Sequence, residues 1–82
     1  MYNQMHLSNS ELLKKYVSIE VESFKKEGYV LINEINWKHL LHRYMIHKSN
    51  GNRIDIFGYP EFGDIVINRN TKRKKKYNIL CK

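Results

Sequence analysis

The chain is punctuated most sharply at Gly28, which follows Phe24-Lys25-Lys26-Glu27 and precedes Tyr29-Val30-Leu31-Ile32. Upstream of it, Leu12, Leu13, Tyr16, Val17, Val21 and Phe24 recur at three- and four-residue intervals, the spacing of one helix face. Lys14, Lys15, Glu22, Lys25 and Lys26 fall largely on the opposite side. Ser8 and Glu11 form a capping-box pair at the start of this pattern, with Leu7 placed to staple onto Leu12. Lys25 and Lys26 occupy the last turn, where cations are favoured, and Gly28 supplies the left-handed residue after the C-cap. Tyr29 is then placed to fold back on Phe24. These signals predict a helix over residues 9–27 and a sharp stop at Gly28.

A second helix is predicted over residues 33–47. Asn33 offers an N-cap, Ile32 a staple onto Trp37, and Trp37, Leu40, Leu41, Tyr44 and Met45 form one stripe. Trp37 and Tyr44 are expected to pack on Tyr16, Val17 and Phe24. Lys38, His39, His42, Arg43 and His47 would lie on the outer face. A rival reading uses Asn50-Gly51, a common hairpin turn, to pair a strand over 44–49 with Arg53-Ile54-Asp55-Ile56-Phe57. Beyond Asn52 the hydrophobic period changes to two, over 53–57 and again over 64–68, with a Gly-Pro loop between them. A last strand is expected over 76–80.

The fold class expected is therefore α+β in a single domain over 1–82. A two-helix hairpin over 8–48 packs on a small antiparallel β-sheet of two or three strands, and the β-hairpin and basic segment occupy 52–82. A winged helix-like arrangement is the alternative, with Lys38, His39, His42 and Arg43 facing a major groove.

Charge is the clearest functional signal. Fifteen Lys and Arg against 8 acidic residues give +7 and a pI of about 9.6, which favours an anionic partner. Lys72-Arg73-Lys74-Lys75-Lys76 carries five of these charges, leaving +2 for everything else. The nucleic-acid-binding candidates are these five residues with Arg69, Arg53 and Arg43. An acidic protein partner is the second possibility, with Tyr59 and Phe62 on the Gly-Pro loop as interface residues.

Catalysis is not indicated: the chain has no phosphate-binding glycine loop, no paired-carboxylate constellation and no nucleophile elbow. Its single cysteine, Cys81, sits one residue from the end, where a nucleophile is seldom held rigidly, and it excludes an intrachain disulfide. His39 and His42 have helical ligand spacing, but no third ligand accompanies them, so neither metal nor cofactor is expected. The longest apolar runs are three residues, and the N-terminus lacks the pattern of a signal peptide. A cytoplasmic protein that does not engage membranes is expected. The absence of alanine beside abundant Lys, Asn and Ile suggests an AT-rich genome, that of a low-GC bacterium, a phage or a virus.

The series Val21, Glu22, Phe24, Lys25, Gly28, Tyr29, Ile32, Glu34, Trp37, Leu40 and Tyr44 resembles the first half of the post-transcriptional regulator (ComN-like) family of low-GC bacteria. The resemblance covers residues 17–44. It implies a small bacterial regulator acting on messenger RNA, with Lys38, His42 and Arg43 exposed to a partner, and it implies no catalytic residue. The family is expected to continue helically, from which the alternating pattern over 53–68 departs.

Overall fold

The computed structural model describes residues 8–69 and 74–79. Among them, one helix, α1 (Asn9–Lys26), precedes five strands: β1 (Tyr29–Trp37), β2 (Leu40–His47), β3 (Arg53–Tyr59), β4 (Asp64–Arg69) and β5 (Lys74–Asn78). The strands form one antiparallel sheet in sequential order, β1-β2-β3-β4-β5, and α1 covers one of its faces.

The helix boundaries follow from local chemistry. The Glu11 amide donates to Ser8 Oγ at 3.2 Å, and the Ser8 amide donates to Glu11 Oε1 at 3.0 Å, completing the capping box. Leu7 lies outside the described residues, and with it the staple onto Leu12. At the other end Gly28 adopts φ +107° and its amide donates to the Lys25 carbonyl at 3.1 Å. Phe24 meets Tyr29 edge-on at 5.7 Å, the contact expected across the turn. Gly28 is also needed for space. A Cβ there would lie 2.8 Å from His47 Nε2, which sits 3.0 Å from the Glu27 carbonyl.

The expected second helix is absent. Residues 33–47 instead form the latter part of β1 and the whole of β2, joined at Lys38-His39, so the helical hairpin and the winged helix-like alternative are both replaced by a single helix on a five-stranded sheet. The stripe from Trp37 to Met45 satisfied helical spacing, but Leu41, Arg43 and Met45 also alternate, and those three are the buried residues of β2. Local composition favours the strand as well, since Tyr29, Val30, Ile32, Ile35, Trp37, Tyr44 and Ile46 are β-branched or aromatic. The rival hairpin is found in outline only: residues 44–46 pair with 53–55, but the strand stops at His47 and residues 48–51 make the turn, so that Met45 faces Ile54 and Ile46 faces Arg53. Gly51, at φ +74°, closes that turn with its amide on the His47 carbonyl.

Between β1 and β2 the register shifts at Ile32, a bulge that leaves Asn33 opposite Tyr44. Ile32 and Trp37 consequently make no staple; both are exposed. The core consists of Leu13, Val17, Val21 and Phe24 from α1, spaced along one helical face, against Leu41 and Met45 of β2, Ile54 and Ile56 of β3, and Ile65 and Ile67 of β4. Tyr16, expected on the buried stripe, is largely exposed. Gly58 of β3 lies directly under α1, where a Cβ would stand 3.0–3.2 Å from atoms of Leu13 and Val17. A side-chain-free position there lets the helix approach the sheet closely.

Candidate nucleic-acid interface

The meander gives the sheet two unlike ends. At the Gly28 end stand the last turn of α1, the β2–β3 turn, and the adjoining ends of β4 and β5. The Lys48 amide donates to the Gly28 carbonyl at 3.0 Å, tying the β2–β3 turn to the end of the helix. His47 supports the same junction, since its Nδ1 accepts from the Ser49 amide at 3.1 Å. With Nδ1 accepting, the neutral ring carries its proton on Nε2, which donates to Glu27. The register sets Arg53 beside Ile46, Arg69 beside Ile54, and Lys74 beside Asn68. Lys25, Lys26, Lys48, Arg53, Arg69, Lys74 and Lys75 thus lie at one end of the sheet, contributed by separate segments and facing different sides, with Glu20 and Glu27 beside Arg69, Lys74 and Lys75.

Individual residues of this group are committed to different degrees. Arg53 is exposed, yet its guanidinium grips Asp55 at 2.9 and 3.2 Å and lies 4.0 Å over the Tyr44 ring. Arg69 is half-buried on the helix-covered face, 4.9 Å over the Phe24 ring. Lys25 pairs with Glu22 at 3.2 Å. Lys26, Lys48 and Lys74 are exposed and form no ion pair among the described residues. Lys72 and Arg73 lie outside the described residues. Lys74 and Lys76 point to the uncovered face of the sheet, and Lys75, between them, to the helix side, 5.4 Å from the Tyr77 ring.

Arg43 does not join this group. It is buried to 6% exposure on the helix side of β2, its Nε 3.4 Å from Glu34 and its Nη1 donating to Asn36 at 2.9 Å and to the His42 carbonyl at 3.3 Å. Its charge is consumed within the sheet. A helical period over residues 33–47 would put it on an outer face, whereas the strand's period of two turns it inward beside Leu41 and Met45. Lys25, Lys26 and Lys48 were missed for a related reason. Their place at the same end of the sheet as Arg69 and Lys74 follows from the helix stop at Gly28 and from the pairing of β2, β3, β4 and β5.

The uncovered face carries a polar cluster. His42 stacks on Phe57 with ring centroids 4.4 Å apart and lies 2.8 Å from Asp55, which Arg53 also holds. Burial by itself would raise the Asp55 carboxyl, but the hydrogen bonds from Arg53 and His42 outweigh it and hold the group below the ordinary carboxylate range. These rings occupy one another's faces: Phe57 is covered by His42, and Tyr44 by Arg53. They stiffen the sheet and offer little free stacking surface.

The opposite end bears exposed aromatics. Trp37 is 70% exposed at the β1–β2 turn and Phe62 60% exposed on the β3–β4 loop, where Tyr59 is half-buried. His39 reaches Glu61 at 3.2 Å between the two turns. His39 and His42 therefore belong to a turn and a strand face, not to one helical ligand pair, and no group of three or more potential ligands gathers among the described residues. No helix among them is long and apolar enough to cross a membrane. Neither a protein-family model, nor a curated protein, nor a solved structure matches the chain.

Proposed function

We propose that the protein is a small, non-enzymatic regulator that binds nucleic acid, RNA or DNA, through the Gly28 end of its sheet and the basic run 72–76. The observation that supports this reading is that cations from α1, the β2–β3 turn, β4 and β5 share one end of the sheet, with Lys26, Lys48 and Lys74 exposed there and in no ion pair among the described residues. Such a cluster attracts phosphates by displacing their condensed counterions, and the gain requires no particular base sequence. Lys72 to Lys76 supply the largest share of the charge, while Arg53 and Arg69 rim the surface.

The test is a fluorescence-anisotropy titration of a labelled oligonucleotide across a range of salt concentrations. Binding should weaken steeply as salt rises, and a Lys26→Gln, Lys48→Gln, Lys74→Gln triple variant should shallow the slope on duplex DNA by about two to three. Affinity indifferent to salt, or to this variant, would refute the reading. A second reading, a phage or viral module that docks on an acidic host protein, is favoured by Phe62, whose ring stands open on the loop beside Tyr59. Capture of a partner that survives nuclease and is lost on Phe62→Ala would support it.

A further inference from the structure

The two edges of the sheet are built differently. β5 carries Lys74, Lys75 and Lys76 in succession, a charge pattern that keeps another strand from adding to an edge. β1, nine residues long, contains no cation, and its one acid, Glu34, is engaged by Arg43. Three of its apolar residues, Val30, Ile32 and Trp37, are exposed at 41%, 55% and 70%. The uncovered face beside it is mainly apolar: Ile35 and Trp37 of β1 and Leu40 of β2 stand there, with Val30 next to Ile46, and only Asn33 and His42 interrupt them. Charge on that face begins at the central strand, with Arg53 and Asp55 of β3, and continues away from β1 through Asp64, Lys74 and Lys76.

We infer that the β1 edge pairs with the β1 edge of a second copy of this chain, joining two sheets into one of ten strands. Self-pairing follows from the sequence of the strand itself. The bulge at Ile32 interrupts the ladder, so regular pairing is available over residues 33–37. An antiparallel, two-fold pairing that uses all five residues is centred on Ile35. It sets Asn33 opposite Trp37 of the partner subunit, and Glu34 opposite Asn36 of the partner subunit, so no like charges meet. Opposed residues share a face, which puts both helices on one side and brings the two apolar halves of the uncovered face together at the centre. The lysine-bearing β5 edges become the outer edges of the dimer, where they block further growth. Pairing of β1 with β5 would instead produce an open-ended, head-to-tail sheet, and the three lysines oppose it.

The experiment is sedimentation equilibrium of the full, nuclease-treated chain over a range of concentrations. A mass of twice 9.9 kDa is expected, with the dissociation constant raised about tenfold or more by Asn33→Lys or Trp37→Lys. Both side chains are exposed, so the far-UV circular dichroism should stay unchanged. Because Trp37 is the chain's sole tryptophan, its emission should shift to the blue as the dimer forms. In a Cys81→Ser background, Ile35→Cys should give a disulfide-linked dimer on oxidation, as the two side chains face each other across the axis. A chain that stays monomeric up to its solubility limit would overturn the inference. So would a dimer indifferent to both lysine substitutions, or one bound to a different protein along β1.

Discussion

Gly58 offers the most direct test of how the helix meets the sheet. Replacing it with alanine places a Cβ 3.0 Å from Leu13 Cδ2, 3.1 Å from Val17 Cγ2 and 3.2 Å from Leu13 Cγ. Carbon contacts are optimal at about 3.5–4.0 Å, so α1 must lift, or Leu13 must leave its rotamer, by several tenths of an ångström. Both residues are fully buried, so the movement must be taken up within the core. Overpacking of this kind costs about 1–3 kcal/mol, and removing glycine's extra backbone entropy returns about 0.5–1 kcal/mol. A net loss of about 1 kcal/mol or slightly more is expected, which for a domain of this size lowers Tm by about 4–8 °C. Thermal unfolding followed by circular dichroism measures it. Leu13→Ala would by itself cost about 2–5 kcal/mol, but combined with Gly58→Ala the two losses should fall short of additivity, because the smaller side chain makes room for the new methyl. A Gly58→Ala protein as stable as the parent, or losses that simply add, would refute the account of close approach.

Ser8→Ala removes the acceptor of the Glu11 amide and should cost about 1 kcal/mol in denaturant unfolding, a loss that Ser8→Asp should largely avoid. Arg43→Ala should destabilise the fold by about 1.5–3 kcal/mol, since it strips charged hydrogen bonds and a packed stem, while leaving the salt dependence of any nucleic-acid binding unchanged. Tyr77 donates its hydroxyl proton to Glu20 at 3.0 Å, and burial first, then that carboxylate, raise its pKa above the ordinary phenol range. The folded state thus keeps a proton that the unfolded chain gives up near pH 10, so this stabilisation is complete below pH of about 10 and declines as pH rises further. Urea titrations at increasing alkaline pH should show that decline, and Tyr77→Phe should flatten it. Asp55 acts at the other extreme: its lowered pKa gives stability that is present above pH of about 4 and lost as acid protonates it, and Asp55→Asn should remove that dependence.

What the sequence determined by itself was local. The capping box at Ser8 and Glu11, the stop at Gly28 and the Phe24–Tyr29 contact each depend on residues a few positions apart, and each formed as its chemistry dictates, whereas Asn50-Gly51 marked a turn without setting its length or register. Strands over 53–57 and 64–68 were legible because the apolar period there is two, clearly in the first and less cleanly in the second, where Ile65-Val66-Ile67 is continuous. Residues 33–47 were not, since their apolar positions fit a helical stripe and a strand face alike. What separates the two is whether Leu41 and Met45 find Gly58 and Ile54 across a ladder, and that pairing depends on residues distant in the chain. The same limit governed the candidate site. The basic run at 72–76 was visible as composition, but its companions Lys26 and Lys48, the withdrawal of Arg43 into the sheet and the exposure of Trp37 were decided by tertiary structure. A cation's availability depends on which face of which strand it occupies, and one residue of register moves it from solvent to the helix-covered side.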